Sequence, residues 1–240
     1  MDNDFRQYGI TQSQPEGVAL SRSFLAGVFL WMFLALGITA LTAFYFISTP
    51  SFLAYLARPT GLTPLGWIVM LSPIGFVLIM SFGFQRLSAT ALTLLFFIYA
   101  VIMGLSFGFI FLMYTPASIF KTFMVASVMF GIMAVAGYTT KIDLSRFGSI
   151  MFMGLIGIII ASVVNFFLKS ATFDYIISFI GVVVFTGLTA WDVQKLKRIG
   201  SGVDAGTAQV RKLTVMGALM LYLDFINLFL FLLRFMGNRR

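Results

Sequence analysis

Two carboxylates carry whatever chemistry this chain can perform. Asp192 and Asp224 are the only acids that fall inside apolar runs; Asp2, Asp4, Glu16, Asp143, Asp174 and Asp204 lie in a polar N-terminal stretch or in connections. An aspartate near mid-bilayer costs roughly 2.5–3.5 kcal/mol even on insertion scales, so it must face the bundle interior and usually has a partner. At about 100° per residue, Gly217, Asp224, Asn227 and Phe231 share one stripe of the last apolar run, with Tyr222 nearly opposite. On the run before it, Gly181, Phe185, Leu188, Thr189 and Asp192 share another. Consecutive helices commonly pack side by side, so the two stripes are candidates to face each other. Counted from outer ends at 175 and 236, the two acids differ in depth by roughly 7 Å at 1.5 Å per residue, a gap that helix tilt and boundary error can close. Two readings stay open on spacing alone: a contacting pair, or two separate polar sites with Asp192 offset by Lys195.

A contacting pair in a low dielectric cannot ionise twice without strong repulsion, so it shares one proton and titrates as a unit. With the proton, a carboxyl-to-carboxylate hydrogen bond clasps two helices; without it, they repel unless a cation intervenes. Two carboxylates plus Asn227 or a free carbonyl are hard oxygen ligands that suit calcium, as a weak or transient metal site, better than a transition metal. Thr189 is a polar neighbour on the same stripe. Arg86, at the inner end of the second apolar run, is the candidate counter-charge.

The elements that must position these groups follow from composition. The 240 residues are 60% apolar and 10% charged, against roughly a quarter charged in a soluble domain. Apolar runs at 23–47, 65–84, 91–113, 117–138, 148–168, 175–194 and 213–236 are each long enough to cross a hydrocarbon core of about 30 Å. The expected fold is an all-α integral membrane protein, a seven-transmembrane-helix bundle over 23–240 behind a cytoplasmic N-terminal tail at 1–22. With the N-terminus inside, ten bases (Arg6, Arg22, Arg86, Lys141, Arg146, Lys195, Lys197, Arg198, Arg211, Lys212) lie on the cytoplasmic side. Six (Arg58, Lys121, Lys169, Arg234, Arg239, Arg240) lie outside, which favours that orientation. The net charge of +8 then reads as topology and attraction to anionic lipid headgroups, and not as a nucleic-acid surface.

Composition also excludes. With no histidine and no cysteine, disulfides, thiolate nucleophiles, the usual zinc sites and histidine bases are absent. The last run has no lysine for a retinal Schiff base, and Leu221-Tyr222-Leu223 before Asp224 lacks the Gly-x-Gly of intramembrane aspartyl proteases. No enzymatic activity and no tightly bound cofactor are expected. Small residues at Gly104/Gly108, Ser127/Gly131 and Gly154/Gly157 read as helix-packing sites. Among the other polar positions in spans (Ser106, Ser162, Asn165, Thr186), Asn165 is expected to bond across helices, and Pro73 to kink the second span.

Three stretches resemble the Bax inhibitor-1 (transmembrane Bax inhibitor motif) family in its bacterial branch. They are TGLTAWDVQKLK at 186–197, ALMLYLDFINLFLFLLRFMG at 218–237 and YTTKIDLSRFG at 138–148. The resemblance covers the C-terminal half by motif and the N-terminal half by span pattern only. It implies seven helices with the last one central, and a pH-sensitive passive calcium leak governed by two aspartates that match Asp192 and Asp224. Arg86 corresponds loosely to an arginine that some relatives place after the second span. An acidic residue that some members carry within that span has no counterpart at 65–84. The rival reading, also implied by the family, is a regulatory protein of the cytoplasmic (inner) membrane that binds a membrane-bound AAA protease through the tail at 1–22 and the basic connection at 193–212.

Overall fold

Apolar runs in lipid must satisfy every backbone group internally, which leaves helices as the solution here. The computed structural model describes residues 13–58, 61–202 and 207–239; residues 1–12 of the expected tail, Asp204 and Arg240 lie outside them. Helix α1 spans Ser13–Ser48, α3 Pro64–Gly83, α4 Ala89–Met113, α5 Pro116–Thr139, α6 Ser145–Leu168, α7 Ala171–Ser201 and α8 Ala208–Met236. Among the described residues these seven are long and apolar enough to cross a membrane, α1 over Ser21–Ser48. Between α1 and α3 sit a short helix, α2 (Pro50–Leu56), and an antiparallel pair of two-residue strands, β1 (Ala57–Arg58) and β2 (Gly61–Leu62). Gly61 at φ 133° supplies the backbone that this tight reversal needs.

The helix starts are written locally. Thr63, Ser88, Thr115, Ser170 and Thr207 each sit in extended backbone and accept a hydrogen bond from an amide of the first turn. Pro64 and Pro116 occupy first-turn positions, where no N–H is needed. The largest departure from the expected spans is at α1, which begins at Ser13 and not at 23, inside the stretch read as tail; the adjoining ends of α7 and α8 depart as well. There the helices run on past 194 and begin before 213, carrying Lys195, Lys197, Arg198, Arg211 and Lys212. Hydropathy marks where lipid ends, whereas backbone hydrogen bonding continues into water.

Packing centres on α7 and α8. Helix α8 contacts α1, α4, α5 and α7, while α3 packs on α4 and α6 on α7. Both faces of α8 are buried. Opposite Asp224, Tyr222 lies in an aromatic cluster with Phe96 and Tyr99, edge-to-face at 5.9 and 5.6 Å. Thr39 donates to the carbonyl of Ala100 at 2.9 Å; with that proton spent, it accepts from the Tyr222 hydroxyl at 2.7 Å. This one hydroxyl ties α1, α4 and α8 together.

Small residues permit the close crossings, though not all at the expected places. A Cβ on Gly104 would meet Thr39 and Thr42, and one on Gly108 would meet Phe46. Gly131 and Gly157 face open space, and the intimate glycine of α5 is Gly137, against the backbone of Ala190. Asn165 departs from expectation too. Its side chain accepts from Ser170 N at 3.1 Å and its carbonyl from Lys169 N, so it closes the end of α6 without reaching a neighbouring helix. Spacing could not distinguish a buried cross-link from a cap.

Pro73 lies within α3, and its missing N–H frees the carbonyl of Val69. That carbonyl accepts from Ser72 at 2.9 Å and, across the interface, from Ser106 of α4 at 3.1 Å. A proline defect thereby becomes a cross-helix link. At the other end of the molecule Asn238 bonds Ser118 and Thr115, and Arg234 and Arg239 both approach Asp174. The basic ending is thus held beside the α4–α5 connection, on a side that also presents an acid.

Candidate functional site

The register of α7 against α8 brings the acids together. Tyr175 stacks on Phe235, Gly181 sits against the Phe231 ring, Phe185 stacks on Phe231 at 5.7 Å, and Leu196 lies against Gly217. From the Phe185–Phe231 stack, Asp192 is seven residues further along α7 and Asp224 seven residues back along α8. Seven residues is close to two turns, so both carboxyls return to the interface at one level. The depth gap counted from 175 and 236 shrinks because Phe235 meets Phe179 as well as Tyr175, so the level of Phe235 reaches up to one turn further along α7 than the datum assumed.

The two carboxyl groups meet within hydrogen-bonding reach. Asp192 is 6% exposed and Asp224 5%, and Oδ2 of Asp224 has no hydrogen-bond partner among the described residues. A buried, unpartnered acceptor is expensive, so this oxygen calls for a proton or a cation. No lysine or arginine forms an ion pair with either acid among the described residues. Lys195, one turn from Asp192, holds its ammonium 5.2 Å from the Trp191 ring centre.

The pair opens onto a cavity of about 790 Å³, which Asn227, Tyr99, Trp191 and Lys195 also line. Asn227 donates to the Leu223 carbonyl at 2.8 Å and borders the cavity. Thr189 is buried, but its hydroxyl donates to the Phe185 carbonyl within its own helix. Arg86 stands at the turn between α3 and α4, where its amide donates to Gly83, and its side chain pairs with neither aspartate. No cluster of three or more metal-type side chains exists among the described residues. A cation between the aspartates would therefore draw on these two carboxylates, an amide such as Asn227, and water.

A second polar site was not anticipated as a unit. Gln194, buried two residues beyond Asp192, accepts from Leu144 N at 2.9 Å and donates to the Ile142 carbonyl at 2.8 Å. Arg198 reaches Asp143, Ser145 and Gln194, while Lys197 donates to the Tyr138 carbonyl at 2.7 Å. The connection between α5 and α6 is thus clasped to the helix that carries Asp192. The Arg198 guanidinium, then the hydroxyl and amide of Ser145, hold the Asp143 carboxyl well below the usual carboxylate range. The signal was present in sequence: the 138–148 and 186–197 motifs are the two halves of this clasp.

Residues 21–240 match the family model described as Inhibitor of apoptosis-promoting Bax1. The chain is 46% identical over 220 residues to the inner membrane protein YbhL of Escherichia coli (strain K12), covering 91% of this chain and 93% of that one. A Rickettsia prowazekii protein, RP147, is 45% identical over 91% of both chains, and one from Borreliella burgdorferi is 39% identical over 96% of this chain and 98% of its own length.

Proposed function

The chain belongs to the Bax inhibitor-1 family of multi-pass membrane proteins, and from that premise we propose that it is a passive, pH-sensitive leak for calcium. Asp192 and Asp224 serve as sensor and gate. The observation that supports this reading is the meeting of two buried carboxyls, without an ion-pair partner among the described residues, at a mid-span cavity. One shared proton holds α7 to α8; loss of that proton leaves two charges that repel until a cation enters. Among the described residues, the other titratable or charged groups facing the pair are Tyr99 from α4 and Lys195 from α7.

We place the protein in an inner membrane with its N-terminus cytoplasmic. In support, the E. coli relative is named an inner membrane protein, and the extended ends of α7 and α8 gather bases on one side. Calcium flux into proteoliposomes, measured across a pH series, tests the leak. Asp192→Asn and Asp224→Asn should each abolish or displace the pH dependence. Single variants that both keep the wild-type profile would refute the gate.

A further inference from the structure

The cavity at the acid pair has a shape that an ion pathway does not need. Its two side walls are α3, through Pro73, Ile74 and Leu78, and α6, through Leu155, Ile159 and Val163. The floor belongs to α7 and α8. Because α3 packs on α4 while α6 packs on α7, the walls flank a cleft. Ile74 is 63% exposed and Ile159 56%, and both lie mid-span, where the surroundings are acyl chains. The cleft therefore opens sideways into hydrocarbon, with an acidic floor.

We propose that this cleft binds cationic amphiphiles of the long-chain alkylamine class, which enter laterally from the lipid and seat their ammonium against Asp192 and Asp224. Charge and polarity complementarity select this occupant: Lys195 lines the same cavity but holds its ammonium over the Trp191 ring and pairs with neither acid, which leaves the carboxyls to the amine. The floor carries the Asp192 and Asp224 carboxyls, and Asp224 Oδ2 lies buried among them with no donor among the described residues. The walls offer apolar side chains to an alkyl tail. A neutral lipid would leave that oxygen unpaired, and an anionic one would be repelled by it. A bare divalent ion would leave the apolar walls unused. The cavity of about 790 Å³ falls within the roughly 300–1,000 Å³ typical of small-molecule sites. Binding stands apart from the leak: the amine needs the acids and the walls, whether or not calcium passes.

Trp191 lines the cleft and reports occupancy. The full-length chain in phosphatidylcholine nanodiscs is titrated with 1-(4-bromophenyl)dodecan-1-amine, whose bromine stays close to the ammonium, and, separately, with the matching alcohol, 1-(4-bromophenyl)dodecan-1-ol. Trp191 quenching is read as the difference between wild type and Trp191→Phe. The amine should quench saturably, while the alcohol should quench only in proportion to its concentration in the lipid. The Asp192→Asn/Asp224→Asn double variant should weaken amine binding roughly tenfold or more. Ser162→Phe, which narrows the cleft from the α6 wall and keeps both acids, should weaken it as well and guards against misfolding of the double variant. Equal behaviour of amine and alcohol, or amine binding unchanged in both variants, would overturn the proposal. Saturable, aspartate-dependent amine binding in a protein whose calcium flux ignores both aspartates would uphold the cleft and remove the leak. The converse pair of results would remove the cleft alone.

Discussion

Replacing Gly104 by alanine puts a methyl group where α4 meets the backbone of α1. The new Cβ would lie 2.6 Å from the Thr39 carbonyl and 2.6 Å from Thr42 Cβ, whereas ordinary contact begins at 3.4 Å. Backbone cannot swing aside as a side-chain tip can, so α1 must withdraw by about 0.8 Å. A gap of that size forfeits a quarter to a half of each dispersion contact it opens. In a bilayer, helix association rests on such contacts, because lipid is as apolar as the protein surface. Overpacking of this kind typically costs about 1–3 kcal/mol, or roughly 2–12 °C in Tm for a chain of this size. The same withdrawal strains the bonds that Thr39 makes to Ala100 and Tyr222. Gly157→Ala and Gly131→Ala are the matched controls, since nothing lies within 4 Å of a Cβ at either position. Thermal unfolding of the three variants in one detergent should show Gly104→Ala clearly destabilised and the controls unchanged or more stable by up to about 1 kcal/mol, as alanine in place of an open helical glycine predicts. Equal behaviour of Gly104→Ala and the controls would refute the crossing described here.

Tyr222→Phe removes the hydroxyl that bonds Thr39 in a buried site, and should lower stability by about 0.5–1.5 kcal/mol, measured by denaturant titration. Thr39→Val should cost more, because it also strips a partner from the Ala100 carbonyl and leaves the Tyr222 hydroxyl buried and unpaired. Gln194→Leu keeps the apolar bulk but cuts both bonds to the α5–α6 connection; faster amide exchange at Leu144 is the expected signature. Asp143 is held below its usual range in the folded chain, so its contribution is fully present above about pH 4 and fades as the pH falls further. Protection of the Ser145 amide, which donates to Asp143, should therefore fall relative to its intrinsic exchange rate as the pH drops below about 4, and Asp143→Asn should remove that dependence.

How much of this was legible beforehand differs by feature. Seven spans follow from apolar length, and capping threonines and serines mark most starts. The short hairpin at Ala57–Leu62 escaped, being two residues per strand with no periodicity to read. The stripes on α7 and α8 were visible as faces, and every residue of the α7 stripe is buried. Their mutual level was not legible, because register is set by particular contacts such as Phe185 on Phe231 and Gly181 beneath the same ring. Glycine spacing marked Gly104 and Gly108 correctly but could not tell a lipid-facing Gly157 from a crossing one; that distinction belongs to which helix lies opposite. The lateral cleft has no sequence signature, since it arises from the separate seats of α3 and α6.

The central claim is that Asp192 and Asp224 exchange contact for separation as their shared proton leaves. Aspartate Cγ-labelled protein in lipid allows the distance between the two carboxyl carbons to be measured by solid-state NMR at acidic and alkaline pH, with and without calcium. Hydrogen-bond contact in acid, a wider spacing in alkali without calcium, and closure when calcium is added are the results expected. One unchanged distance under all of these conditions would contradict the gate.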